Sequence, residues 1–219
     1  MLRAVRALVA AAGIGEPGLR ITLDKQLPVA AGLGGGSSDA GAALKLARDA
    51  LGLPFGDAAL AEIAAGLGAD GPMCLHARAA WAEGRGDVLT FETSLPPLPA
   101  LLVNPGVSSS TGAVYRAFDD GRAGQADRPA PPSDWAPLSV IDWLAIQRND
   151  LQTPAVTLAP AIGEALEATA ALPGVRLTRM SGSGATVFAL FDTTAGAEAA
   201  AGALTALQPA WWIRPAVLR

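Results

Sequence analysis

Between Pro28 and Ala40 the chain reads Pro-Val-Ala-Ala-Gly-Leu-Gly-Gly-Gly-Ser-Ser-Asp-Ala. Glycines let a backbone take positive φ and approach a ligand closely. A helix beginning at such a run would present unpaired N–H groups and the positive end of its dipole, a cradle for phosphate. The alternative is a glycine-rich connector that packs a helix close to a strand. No lysine follows the glycines, so this is not a Walker A loop, and Gly32 to Ser37 lacks the spacing of a dinucleotide fingerprint. Asp70, in Gly68-Ala69-Asp70-Gly71-Pro72, could act as a general base or as a fixed charge beside a hydroxyl. It could also simply close an Asx turn. Ser181-Gly182-Ser183-Gly184 could form a backbone concavity for anionic oxygens or an ordinary hairpin. Asn149-Asp150 could line a cleft or cap a helix.

Other chemistries are excluded by scarcity. The chain has one histidine, His76, and one cysteine, Cys74, so a histidine-rich zinc site and an internal disulfide framework are ruled out. A Ser-His-Asp triad would need His76, which lies on an apolar stretch and reads as structural. Of 219 residues, 51% are hydrophobic and 16% charged, with a net charge of −4. That composition describes a folded core and argues against nucleic-acid binding. No apolar run reaches the length of a bilayer span. A reducing cytoplasm is the expected location.

These residues need elements to hold them. Residues 2 to 12 read as an amphipathic helix and Leu19 to Leu23 as a half-buried strand. Ser38 to Leu51 reads as a helix capped by Ser37 or Ser38 and ended by Gly52 and Pro54. Asp57 is expected to cap a second helix running to about Leu67, with Gly68 to Pro72 a tight loop. Ala79 to Glu83 and Val88 to Glu92 form a hairpin. Leu95 to Pro99 marks the expected junction between an N-terminal domain (1–95) and a C-terminal one (96–219). Beyond it come a strand at Ala100 to Val103, a helix at Ser110 to Phe118 and an exposed loop at Gly121 to Pro137. Helices follow at Leu138 to Ile146 and Leu158 to Leu172. Strands at Val175 to Thr178 and Ala185 to Phe191, a helix at Ala195 to Leu207 and a strand at Trp211 to Val217 complete an α+β chain.

Taken together, these motifs resemble the GHMP kinases, a superfamily of small-molecule kinases. Pro28 to Ala40 looks like their ATP motif and Ser181 to Val187 like their C-terminal motif. Four segments (Leu27 to Ala40, Leu67 to Leu75, Asn104 to Ser108 with Thr111, and Arg148 to Ala155) are most similar to the branch that serves non-mevalonate isoprenoid synthesis. The resemblance implies a two-domain fold whose C-terminal part is a ferredoxin-like α/β sandwich. It implies transfer of the ATP γ-phosphoryl group, with Mg²⁺, to the 2-hydroxyl of a diphosphocytidyl methylerythritol. Lys25, Pro28, Val29, Ala30, Ala31, Gly32, Leu33, Gly34, Gly35, Gly36, Ser37 and Ser38 would bind ATP. Asp70 would be catalytic. Tyr115, Ser181, Gly182, Ser183 and Gly184 would bind the acceptor, with no protein metal ligand. A monomer or weak homodimer without nucleic-acid or membrane partners is expected. The Pro-Ala-Lys and Gly-Tyr-His motifs that open this branch are missing, which reads as an incomplete N-terminal domain. The alternatives are a silent nucleotide- or partner-binding homologue and another small-molecule GHMP kinase.

Overall fold

The structure is a computed structural model and describes residues 1–84, 86–120 and 129–219. Arg85 of the hairpin turn and 121–128 of the expected exposed loop lie outside the described residues. The chain divides into two compact units, one made of Met1–Leu27 with Gly34–Thr93, the other of Pro28–Leu33 with Ser94–Arg219.

The first unit is helical with one hairpin. Helix α1 (Leu2–Ala11) buries Ala4, Val5, Leu8 and Val9, one face at the i, i+4 spacing. That face packs on α2 (Gly35–Ala50), which buries Ala43, Leu44 and Ala47. Leu60 and Ala64 of α3 (Asp57–Ala65) and Leu75 of α4 (Gly71–His76) close the cluster. Strands β1 (Ala80–Glu83) and β2 (Val88–Phe91) pair antiparallel, as the alternation around Gly84 predicts.

Three local expectations fail here. Leu19 to Leu23 is not a strand. Alternation marks an extended chain with two faces, but a strand needs a partner, and this segment has no ladder. Ile21 packs on the helical cluster while Leu19 and Leu23 stay exposed. Neither Ser37 nor Ser38 caps α2. The helix starts at Gly35 from a left-handed Gly34 (φ 62°), with no side-chain cap, so both serines fall inside its first turn. Asp57 does not cap α3 either, since Gly56 holds that position. The Asp57 carboxylate instead accepts a hydrogen bond from Arg48 at 2.8 Å, which draws its pKa below the ordinary carboxylate value. The other end of α2 is as expected: Gly52 takes φ 60°, its N–H donates to the Asp49 carbonyl and that of Leu53 to Arg48, a Schellman stop.

The second unit is built on an antiparallel sheet of β3 (Leu98–Asn104), β4 (Val175–Met180), β5 (Val187–Phe191) and β6 (Trp212–Leu218), in the order β4-β5-β3-β6. That order is the split β-α-β arrangement of ferredoxin-like folds. Helices α8 (Ala161–Ala170) and α9 (Thr194–Leu207) cover one face, meeting Leu101, Val103, Val187, Ala189 and Phe191. Helix α6 (Pro137–Ala145) covers the other through Val140 and Ile141, against Leu98, Ala100, Leu177 and Leu190. Alternate residues of β3 and β5 therefore feed two cores, the period-2 rule of a strand. Helix α5 (Thr111–Asp120) begins seven residues past β3. The helix expected over Leu158 to Leu172 is two, α7 (Gln152–Leu158) and α8. Pro160 between them has no N–H to continue the ladder.

Candidate functional site

The glycine run changes units at the Leu33–Gly34 peptide. In the first unit Gly34 to Ser38 form the opening turn of α2. Its ladder begins with Ser38 N–H donating to the Gly34 carbonyl at 2.9 Å. The N–H groups of Gly35, Gly36 and Ser37 precede any intrahelical acceptor, and the dipole places positive charge there. Lys25 stands over this turn, its Nζ 3.1 Å from where a Gly35 Cβ would be. The ammonium donates to the Asp39 carboxylate at 2.6 Å, which holds the cation in place.

Asp70 precedes α4 in the same unit. Gly71 must follow it, because a Cβ there would overlap the Ala64 carbonyl. The Asp70 backbone carbonyl accepts from Cys74 N–H at 3.0 Å, but its side chain makes no cap bond. Among the described residues nothing hydrogen-bonds or ion-pairs with that exposed carboxylate. The Asx-turn alternative is thereby removed, and the carboxylate is free for a ligand. Cys74 joins α4 to the loop, its thiol donating to the Gly34 carbonyl at 3.6 Å. Burial pushes the thiol pKa up, against a hydrogen bond with Ser38 that lowers it.

In the second unit, Pro28 to Leu33 lie against the Ser181–Thr186 segment. Gly32 takes φ 70°, and a Cβ on it would stand 2.5 Å from the carbonyl oxygens of both Ser181 and Gly184. Only glycine fits that approach. The Ser181 hydroxyl donates to the Gly32 carbonyl at 2.9 Å and Thr186 N–H to the Ala31 carbonyl at 3.1 Å. Two motifs that are separate in sequence are thus one bonded structure. Ser183 is buried: Ser109 donates to its carbonyl at 2.7 Å, and its hydroxyl shares a 2.9 Å bond with Thr111. Asn104, 2% exposed, donates to the Thr186 hydroxyl at 3.0 Å. Val29 is 83% exposed and Tyr115, on α5, 50%. Asn149 neither lines a free cleft nor merely caps a helix, since its amide donates to the carbonyls of Met180, at the end of β4, and of Gly182 in the turn.

Ser109, Gln152 and Cys74 were missed from sequence. A lone serine or glutamine beside a helix start carries no pattern. Cys74 had a signal, its i+4 spacing from Asp70 on one short helix.

Both ends of the chain match models of one family. Residues 1–78 match the GHMP kinases N terminal domain and residues 140–210 the GHMP kinases C terminal domain. The chain belongs to the GHMP kinase family, small-molecule kinases with this two-domain α+β fold. It is similar to a 4-diphosphocytidyl-2-C-methyl-D-erythritol kinase of Caulobacter vibrioides (strain NA1000 / CB15N), 51% identical over 217 residues, covering 98% of this chain and 75% of that one. A kinase of the same name from Methylobacterium radiotolerans is 49% identical over 226 residues, covering 100% and 76%. Among solved structures, a 4-(cytidine 5'-diphospho)-2C-methyl-D-erythritol kinase superposes with a TM-score of 0.76 at 36% identity, covering 97% of this chain and 76% of that one. No described helix is long and apolar enough to cross a membrane.

Proposed function

We propose that this chain transfers the γ-phosphoryl group of ATP to the 2-hydroxyl of 4-diphosphocytidyl-2-C-methyl-D-erythritol. The observation that carries the reading is the unpartnered Asp70 carboxylate, in the same unit as the Gly34–Ser38 opening of α2, in a chain about half identical to kinases of that name. Phosphoryl transfer needs positioning and charge stabilisation more than covalent catalysis, which suits a chain with few nucleophiles. Pro28 to Ser38 form the ATP loop, in which Gly35, Gly36 and Ser37 offer the triphosphate their backbone N–H groups, and Lys25, held by Asp39, adds an ammonium donor over that turn. Exposed Val29 offers apolar contact to the nucleotide. Asp70 accepts the proton of the attacking hydroxyl or fixes its direction. Tyr115 gives the cytosine a flat ring to stack on, and Ser181 to Gly184 contact the acceptor through their backbone, the Ser183 hydroxyl being already engaged.

Mg²⁺ fits this donor set as an ion carried on the nucleotide. It takes one or two carboxylates plus phosphate oxygens. The phosphates would supply most of its ligands, since Asp39 is bound to Lys25, Asp70 serves the acceptor hydroxyl, and the described residues contain no cluster of three or more His, Cys, Asp or Glu that could hold a resident ion. When bound, it would neutralise phosphate charge. The same reading makes the chain a cytoplasmic enzyme, monomeric or weakly dimeric, with a small-molecule partner and no nucleic acid.

The test is Asp70→Ala, assayed by ADP release with the diphosphocytidyl acceptor. Loss of a general base costs roughly 10²- to 10⁴-fold in turnover, with ATP affinity nearly unchanged. Turnover at the unmodified rate would overturn the role. ATP binding without turnover by the unmodified chain would leave a nucleotide-binding module instead of a kinase.

A further inference from the structure

The Ser181–Gly184 turn is tied down from a direction the reaction does not explain. Its own bonds, Ser181 N–H to the Thr186 carbonyl at 2.8 Å and Gly184 N–H to the Ser181 carbonyl at 2.9 Å, would already close it. Two side-chain amides are added on its Met180–Gly182 side. Asn149 Nδ2 donates to the Met180 carbonyl at 2.9 Å and to the Gly182 carbonyl at 2.8 Å. Gln152 Oε1 accepts from Met180 N–H at 2.9 Å. The Asn149 amide has one possible orientation, because Oδ1 accepts from Leu151 N–H at 3.0 Å while Nδ2 faces carbonyls. Both of its donors and its acceptor are in use.

The other side of the turn holds the glycine loop. Among the described residues, the Pro28–Leu33 backbone makes two hydrogen bonds to the rest of the chain. Both end on Ser181 and Thr186. The aim of this half of the loop is therefore set by the turn, whose Met180–Gly182 side is held by Asn149 and Gln152, while Ser109, Thr111 and Asn104 hold Ser183 and Thr186.

We propose that Asn149 and Gln152 are positioning residues for ATP, acting through the Ser181–Thr186 turn on the carbonyls of Ala31 and Gly32 without touching the nucleotide. This rests on the reading of Pro28 to Ser38 as the ATP loop. Asn149→Asp keeps the size and the acceptor for Leu151 but turns an oxygen onto two carbonyl oxygens. Gln152→Leu removes the acceptor for Met180, whereas Gln152→Glu retains one.

The test uses the 219-residue chain, ATP titration by calorimetry and hydrogen exchange. Asn149→Asp weakens ATP by roughly ten- to a hundredfold, the loss expected for two hydrogen bonds. Exchange accelerates in 29–33 and 181–186 while α9 and β6 stay protected. Gln152→Leu weakens ATP more than Gln152→Glu does, an ordering that a packing role would not produce. Unchanged ATP affinity in Asn149→Asp, or exchange raised evenly along the chain, overturns the proposal. Should Asn149→Asp fail to fold, the two Gln152 variants decide, and equal affinities there overturn it as well. An unmodified chain that does not bind ATP overturns the loop assignment, and this inference with it. That failure is seen before any variant is made.

Discussion

Gly32→Ala is the sharpest single perturbation of the loop. Alanine at φ 70° costs about 1 kcal/mol in backbone strain. Its Cβ would lie 2.5 Å from two carbonyl oxygens and 2.9 Å from the Gly184 carbonyl carbon, and all three atoms are backbone. Relief needs a retreat of about 1 Å, since close-packed atoms sit roughly 3.5 Å apart. Such a retreat breaks the 2.9 Å bond from Ser181 to Gly32 and the 3.1 Å bond from Thr186 to Ala31, worth about 1 kcal/mol each. The total of about 3 kcal/mol is roughly a hundredfold in affinity. The loop gives way before the sheet does, because these two bonds are its attachment. Calorimetric titration with ATP should show the hundredfold loss, with an unfolding free energy from urea titration lowered by no more than the same amount. ATP affinity within a few-fold of the unmodified chain would refute the argument that this backbone approach holds the loop.

Two further outcomes follow from single residues. The Cys74 thiol is held above its ordinary pKa by burial. Iodoacetamide should therefore label it more slowly than a free thiol at pH 8, with the rate rising at higher pH than in the urea-unfolded chain. ATP should slow labelling further, because the thiol lies against Gly34. Stability should be level below the ordinary thiol pKa and fall above it, since the unfolded chain ionises first. Labelling at the free-thiol rate would contradict the burial. Gly202 lies on the exposed side of α9, where an added Cβ meets nothing within 4 Å. Gly202→Ala should raise stability by about 1 kcal/mol, seen calorimetrically as a melting temperature up by roughly 2–4 °C. An unchanged or lower melting temperature would show that α9 is not helical there.

Elements were legible where local chemistry and tertiary context agree. Helix α1 shows its buried stripe, α2 its Gly52 stop, and β5 and β6 read as short apolar runs bounded by turns. The failures have physical causes. Leu19 to Leu23 alternates correctly, but alternation cannot supply a pairing partner. Gly35 and Gly36 look like loop because glycine is a poor helix former. They open α2 because Gly34 sets the left-handed turn before them. In the site, Asp70 and the glycine run stand out by residue type, and their freedom for a ligand follows from contacts absent around Asp70. The bond between Ser181 and Gly32 spans 149 residues, and no local pattern announces it. Ser109 and Gln152 are legible only once the turn they hold is known.

That long-range attachment also orders events at the ribosome. Chains emerge N-terminus first, at a few to some twenty residues per second. The Pro28–Leu33 segment is exposed early, and both of its hydrogen-bonded attachments come from Ser181 and Thr186. The central strand β3 waits as well, for β5 on one side and β6 on the other. A nascent chain that stalls before residue 181 carries every glycine of the Gly32–Gly36 run and neither anchor. On the proposal that Pro28 to Ser38 hold ATP, capture of the nucleotide waits until synthesis has passed residue 186, and a ligand that binds only afterwards favours the folded form by mass action.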